Sequence, residues 1–129
     1  EPMEENTLAD SIAVGVPRNA DKALMAIRES NGIVVNVSDA EIMAAQKLLG
    51  RTCGVFGEPA GVTGTAGVKK LCEQGVLPKD ATVVSVVTGN GLKDVANAIK
   101  ACGEPISIPS DMDLLLRAFD ERGINADVK

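Results

Sequence analysis

The apolar residues of this chain follow two kinds of pattern, and the first consists of short runs rich in β-branched residues. Thr82–Thr88 contains four valines interrupted only by Ser85, which is typical of a strand covered on both faces in a parallel sheet. Gly32–Ser38 is a second run of this kind. Ile12–Val16 predicts a short strand, with a helical turn as the alternative, and Ile106–Ile108 predicts an edge strand between two prolines.

The second pattern places apolar residues three and four positions apart, as on one face of an α-helix. Asn19 is a predicted N-cap, and Ser38 with Glu41 forms a capping-box sequence. Ser110 and Asp113 are predicted to cap a last helix that Gly123 ends. The predicted helices cover Ala20–Ser30, the residues from Ser38 to Gly50, Pro59–Gln74, Lys93–Cys102 and the residues around Leu114–Phe119.

Helices that alternate with apolar runs predict an α/β fold with a mainly parallel sheet and helices on both faces. The chain has 129 residues, of which 45% are apolar and 24% charged, so it is long and apolar enough to bury a core. We therefore expect residues 1–129 to form a single α/β domain.

The charge distribution bears on the classes of partner. The net charge is −5, and lysines and arginines are scattered, so the basic footprint of a nucleic-acid-binding protein is missing. No run approaches the roughly 20 apolar residues of a membrane span, and the first residues are acidic rather than basic and then apolar. We expect a cytoplasmic protein without nucleic-acid or membrane partners.

The titratable residues limit the chemistry. The chain contains no histidine, which excludes Ser-His-Asp and Cys-His machinery and the commonest general base. Cys53, Cys72 and Cys102 are odd in number and form no C-x-x-C, so neither a disulfide framework nor a zinc site is indicated. Buried structural thiols and the absence of a metal site are the predictions.

The glycine turn after the longest apolar run is the first candidate site. Gly89 and Gly91 permit a tight turn, and ligands of open α/β sheets bind outside the carboxyl ends of the strands, where Thr88 would lie. Asp94 occupies the place of the third glycine of a dinucleotide fingerprint, and the chain has no P-loop. Thr88 is therefore the candidate ligand-binding residue, and an ordinary strand-to-helix connection is the alternative.

A second glycine pattern lies within the helix predicted at Pro59–Gln74. Gly61, Gly64 and Gly67 recur at every third position, and each costs about 1 kcal/mol relative to alanine in a helix, so something should compensate. We favour tight packing of the helix over direct ligand contact. Glu58, at the helix start, is interpreted as a cap that complements the helix dipole rather than as a catalytic acid or base.

Three segments taken together, TLADSIAVGVPRN, VFGEPAGVTGTAGVKKL and VVTGNGLKD, resemble the C-terminal part of the threonine synthase family, pyridoxal-phosphate enzymes of fold type II. The resemblance covers most of Thr7 to Asp94. It implies pyridoxal phosphate as cofactor and a carbon-oxygen lyase that converts O-phospho-L-homoserine and water to L-threonine and phosphate. Part of the large domain of a fold type II enzyme is the fold that it implies.

The resemblance also assigns site residues. In that family the threonine of the TG-x-GLKD turn hydrogen-bonds the pyridine nitrogen of the cofactor, and Thr88 is the matching position. The family's Schiff-base lysine lies in an S-x-K-D-R-like motif that this chain lacks, and Lys93 is not assigned that role. We therefore expect no catalytic residue in this chain, which would be inactive alone and would need the missing N-terminal part of the enzyme and an amino-acid substrate as partners.

Two alternatives differ from this interpretation. Threonine dehydratase and other type II pyridoxal-phosphate lyases share a glycine-containing turn, and the chain could belong to one of them. A non-catalytic α/β module that binds an anion or a partner protein is the other, since the chain has neither the catalytic lysine nor a histidine. A fragment would also expose apolar surface and self-associate.

Overall fold

The computed structural model describes residues 2–124, and α-helices dominate this part of the chain. Helix α1 spans Ala20–Glu29, α2 spans Asp39–Cys53, α3 spans Pro59–Glu73, α4 spans Val95–Cys102 and α5 spans Met112–Asp120. Two short 3-10 turns cover Asp10–Ile12 and Gly91–Asp94. Glu1 and residues 125–129, which belong to the predicted domain of residues 1–129, lie outside the described residues.

The buried core lies between α2 and α3. Its side chains come from one apolar stripe on each helix, as helical periodicity predicts, and from the N-terminal segment. The buried members are Ile42, Ala45, Val62, Ala66 and Ala9, and the partly buried members are Leu8, Val37, Leu49, Ala60 and Val87.

Polar contacts fix the N-terminal segment against the helices. The Thr7 hydroxyl donates to Asp39 Oδ1 at 2.6 Å, and the Leu8 N–H donates to Asp39 Oδ2 at 3.1 Å, at the start of α2. The Asn97 side-chain amide of α4 donates to the Leu8 carbonyl at 3.4 Å. These bonds hold the segment before Ala9 between α2 and α4.

The predicted helices are confirmed, with differences at their ends. Ser38 and Glu41 form the predicted capping box at the start of α2. Asn19 occupies the N-cap position of α1, but its side chain makes no capping hydrogen bond. The cap of α5 is Asp111 instead of the predicted Ser110 and Asp113, because its carboxylate accepts the Leu114 N–H at 3.0 Å.

The predicted parallel sheet does not form within residues 2–124, where the strand pairing amounts to one isolated bridge between Gly57 and Asn90. Thr82–Thr88 has no strand partner there, and Val84 and Val86 are 86% and 73% exposed. A strand is held by hydrogen bonds to a neighbouring backbone, and a local β-branched pattern carries no information about whether that neighbour is present.

The shorter predicted strands differ in outcome. Ile106–Ile108 is likewise unpaired. At Ile12–Val16 the first residue closes the 3-10 turn Asp10–Ile12, so the helical-turn alternative is confirmed at the start of this segment. Within the described residues, no helix combines the length and the apolar character needed to cross a bilayer.

The prediction of buried thiols is wrong. Cys53, Cys72 and Cys102 are all exposed and unpaired. Each lies at the last or second-last residue of α2, α3 or α4, where the chain leaves the packed region. Apolar character places a cysteine inside only when its position in the helix also faces the core.

Glu41 joins the capping box to α3. Its carboxylate accepts the Ser38 N–H at 2.6 Å and lies 2.9 Å from the Lys70 ammonium, which also donates to the Asn36 carbonyl. The Ser38 backbone hydrogen bond, then the Lys70 and Ser38 side-chain bonds, lower the pKa of Glu41 from its ordinary 4.5 to about 2. The ionised carboxylate is therefore favoured in the folded state.

This shift predicts a pH-dependent contribution to stability. A carboxylate whose pKa is lowered by folding stabilises the protein above its unfolded pKa, and that stabilisation is lost as the pH falls through the folded value. Glu41→Gln should lower the melting temperature at pH 7, and the difference from the unchanged protein should shrink between pH 4.5 and about 2. Thermal unfolding by circular dichroism across this range measures it, and a constant difference down to pH 2 would contradict the assignment.

Candidate functional site

The first turn of α3 lies directly against the turn that follows Thr88. The Glu58 N–H donates to the Gly89 carbonyl at 2.9 Å, and the Gly91 N–H donates to the Phe56 carbonyl at 3.0 Å. These two bonds flank the isolated bridge between Gly57 and Asn90. Two glycine-containing segments that are far apart in sequence are thus joined by backbone hydrogen bonds.

Glycine at position 61 permits this close approach. A Cβ atom there would lie 3.0 Å from Gly89 N, 3.1 Å from Gly89 O and 3.3 Å from Thr88 N, which is tighter than ordinary van der Waals contact. At Gly67 a Cβ atom would lie 3.1 Å from a Val35 methyl, whereas at Gly64 the nearest atom is Ser85 Oγ at 3.7 Å. The packing interpretation is confirmed for Gly61 and Gly67, while Gly64 is exposed.

Glu58 and Lys93 form an ion pair between the two segments. The distance from Lys93 Nζ to Glu58 Oε1 is 3.0 Å, and the Glu58 side chain is 7% exposed while that of Lys93 is 60% exposed. Glu58 is the N-cap residue of α3, but its side chain makes no capping hydrogen bond. The predicted N-cap position of Glu58 is confirmed, but its carboxylate pairs with Lys93 instead of bonding the N–H groups of the first helical turn.

A pocket of about 370 Å³ opens beside this ion pair. Glu58 and Lys93 line one part of it, and Asp10, Ser11 and Asn97 line another. Asp94 also lines the pocket, but its carboxylate accepts hydrogen bonds from the backbone and side chain of Asn97 at 3.2 and 2.7 Å. Leu8, Pro59 and Ala60 complete the lining, so the wall combines apolar residues with two bonded polar pairs, Glu58–Lys93 and Asp94–Asn97.

Gln46 is a site-supporting residue that the sequence analysis missed. Its side-chain amide donates to the Gly57 carbonyl at 2.8 Å, and the residue is 3% exposed. Its side-chain oxygen is buried without a partner among the described residues. Gln46 follows Ile42 by four positions on the apolar stripe of α2, and a polar residue on such a stripe is the signal that could have found it.

Thr88 lies where the sequence predicted it, at the beginning of the glycine turn, and it is exposed. The structure brings it together with Gly61 and Gly89, but it does not line the 370 Å³ pocket. Lys93 lies five residues later, with its ammonium on Glu58. In the described part of the chain, acidic and cysteine side chains do not cluster in a way that could hold a metal ion.

Comparison with known sequences identifies the class of protein. The profile of the pyridoxal-phosphate dependent enzymes matches residues 1–89, so the chain belongs to this family. It is similar to the threonine synthase of Methanocaldococcus jannaschii, with 49% identity over 115 residues, which are 89% of this chain and 28% of the relative. The threonine synthases of Methanosarcina acetivorans and Synechocystis are 46% and 44% identical over 90% and 88% of this chain, which correspond to 29% and 30% of their own lengths.

These comparisons confirm the resemblance to threonine synthase and the family's fold type, and the cofactor of the family is pyridoxal phosphate. The chain spans less than a third of the length of the curated relatives that it matches. The matched region includes α2, α3 and Thr88, and it ends at Gly89. Glu58, Gly61 and Thr88 therefore lie inside the region that the family profile matches, whereas Lys93, Asp94 and Asn97 lie beyond it.

The contact at Gly61 predicts opposite effects of two substitutions on one helix. Gly61→Ala should destabilise the protein, because overpacking against a fixed backbone costs about 1–3 kcal/mol while the gain in helix propensity is at most about 1 kcal/mol. Gly64→Ala is the matched control, and because its Cβ would make only ordinary van der Waals contact with Ser85 Oγ at 3.7 Å, it should stabilise by about 0.5–1 kcal/mol. Urea unfolding midpoints compare the two variants, and equal effects would contradict the close packing.

Proposed function

We propose that this chain supplies one wall of the active site of a threonine synthase, the enzyme that converts O-phospho-L-homoserine and water to L-threonine and phosphate. The observation that carries the proposal is the contact of Gly61 with Thr88 and Gly89, since it seats the predicted cofactor-binding threonine on the N-terminal turn of α3. Identities of 44–49% to three threonine synthases, over about nine tenths of the chain, favour this enzyme over threonine dehydratase.

The residues present fit the cofactor at one position. Thr88 is exposed, so its hydroxyl is accessible to a ligand, and a hydroxyl is a hydrogen-bond donor suited to an acceptor such as a pyridine nitrogen. The hydroxyl is too weak an acid to give up its proton to that nitrogen, so Thr88 would orient the ring without charging it. When bound, pyridoxal phosphate accepts the electrons of bonds broken at the amino-acid substrate. A ring whose nitrogen stays unprotonated would withdraw those electrons less strongly than a protonated ring.

Lys93 does not serve as the cofactor lysine in this proposal. Its ammonium is held by the buried Glu58 carboxylate at 3.0 Å, and the S-x-K-D-R-like motif that carries the family's lysine does not occur in this sequence. That lysine would come from the part of the enzyme that corresponds to the unmatched length of the relatives.

The unpaired β-branched runs fit the same proposal. Thr82–Thr88 and Gly32–Ser38 would be strands of the family's parallel sheet, with neighbouring strands supplied from the remaining part of the enzyme. The high exposure of Val84 and Val86 supports this, because large apolar side chains are normally covered in an assembled protein. Thr88 would then lie at the carboxyl end of a sheet strand, where α/β enzymes bind their ligands.

An assay of the complete enzyme separates the candidate functions. A threonine synthase should release phosphate from O-phospho-L-homoserine and form L-threonine in equal amounts. Formation of ammonia from L-threonine, without phosphate release from O-phospho-L-homoserine, would instead identify a dehydratase. Cofactor binding without either reaction would leave a binding module and would refute the proposal.

The assignment of Thr88 predicts the effect of a nearly isosteric change. In the complete enzyme, Thr88→Val should weaken cofactor binding and lower turnover by about 1–3 kcal/mol, the usual cost of removing one partner of a buried polar pair. Equilibrium titration with pyridoxal phosphate and steady-state kinetics measure the two effects. Thr82→Val, the same chemical change at the other end of the run, is the control and should leave both unchanged.

A further inference from the structure

The Glu58 side chain contacts the turn after Thr88 at two points. Its Oε1 atom lies 3.0 Å from Lys93 Nζ, and the carboxylate lies so close over Gly89 that a Cβ atom there would collide with it. The backbone of the same residue adds a third contact, because the Glu58 N–H donates to the Gly89 carbonyl at 2.9 Å. One residue at the start of α3 thus holds both ends of the segment Gly89–Lys93.

The burial of this carboxylate requires a reason. Transfer of an ionised group from water into the protein costs free energy unless the group is paired. A carboxylate that only capped the helix could remain exposed to solvent. Glu58 is instead buried, and its oxygen bonds Lys93 rather than the free N–H groups of the first helical turn. The ion pair, of which only the Glu58 side is buried, connects residues 35 positions apart and therefore fixes tertiary structure rather than α3 itself.

We propose that Glu58 is a positioning residue for Thr88. Because Glu58 fixes the backbone of Gly89 and the side chain of Lys93, it sets the direction in which the adjoining Thr88 presents its hydroxyl. The inference rests on the proposed function, in which Thr88 contacts the cofactor ring. Glu58 itself touches neither substrate nor cofactor in this scheme, and it acts only through the turn.

A double-mutant cycle in the complete enzyme tests the inference, with the dissociation constant of pyridoxal phosphate as the readout. Glu58→Ala should weaken cofactor binding about tenfold, which equals about 1.4 kcal/mol. In the Thr88→Val background the same change should have little further effect, because two residues that act through one contact are not additive. Glu58→Gln, which keeps the shape and one hydrogen-bond acceptor for Lys93, should restore part of the affinity.

The control removes the same charge from the other end of α3. Glu73 forms an exposed ion pair with Lys69 one helical turn away, so Glu73→Gln should leave cofactor affinity unchanged.

If Glu58→Ala does not accumulate as folded protein, the cycle is run with Glu58→Gln in its place. The absorption spectrum of the bound cofactor in each variant gives a second readout, and it should shift in the same direction for Glu58→Ala and Thr88→Val.

The possible failures are distinguishable. If Thr88→Val weakens binding and the effect of Glu58→Ala is equal in both backgrounds, the positioning role is overturned while the function of Thr88 stands. If Thr88→Val alone leaves affinity and spectrum unchanged, the assignment of Thr88 falls and the positioning role falls with it. Non-additivity together with partial rescue by Glu58→Gln supports the inference.

Discussion

The backbone of α3 approaches the turn after Thr88 so closely that no side chain can lie between them, and the arrangement of the site depends on that contact. Glycine at 61 permits it, because a Cβ atom there would lie 3.0–3.1 Å from Gly89 N and O and would force the turn to shift. The contact also requires glycine at 89, over which the Glu58 carboxylate lies. Backbone hydrogen bonds take the place of side-chain contacts at these glycines. Because such bonds have a narrow range of length and direction, they position the neighbouring Thr88 hydroxyl more rigidly than apolar packing could.

Helix α3 contacts segments from both halves of the chain. Its first turn contacts the segment after Thr88, and Gly67, farther along the helix, lies against Val35 of the other β-branched run. Lys70, near its end, bonds the Asn36 carbonyl and the Glu41 carboxylate at the start of α2. Both unpaired runs therefore lie along one helix, which would place them in the same layer of a larger fold.

Local features could be read from the sequence, whereas features that join distant residues could not. The helices and the Ser38–Glu41 capping box depend on neighbours three or four positions apart, and their positions were predicted closely. The partner of Glu58 is 35 residues away, and Gln46 reaches the backbone of another segment, so no local pattern identifies either contact. Thr88 remains a prediction, made because an apolar run, a glycine turn and the family motif coincide there, and the strand predicted at 82–88 is not formed among the described residues.

The uncovered run from 82 to 88 also has a consequence for how the protein must be made. Its sequence, TVVSVVT, has six residues of high β-propensity in seven and no charge, proline or glycine, which is the composition of segments that stack into cross-β fibrils. Two of its valines point largely into solvent in the described structure. An uncovered run of this composition can pair with the same run of another chain, so it is an aggregation hazard until other backbone or side chains cover it.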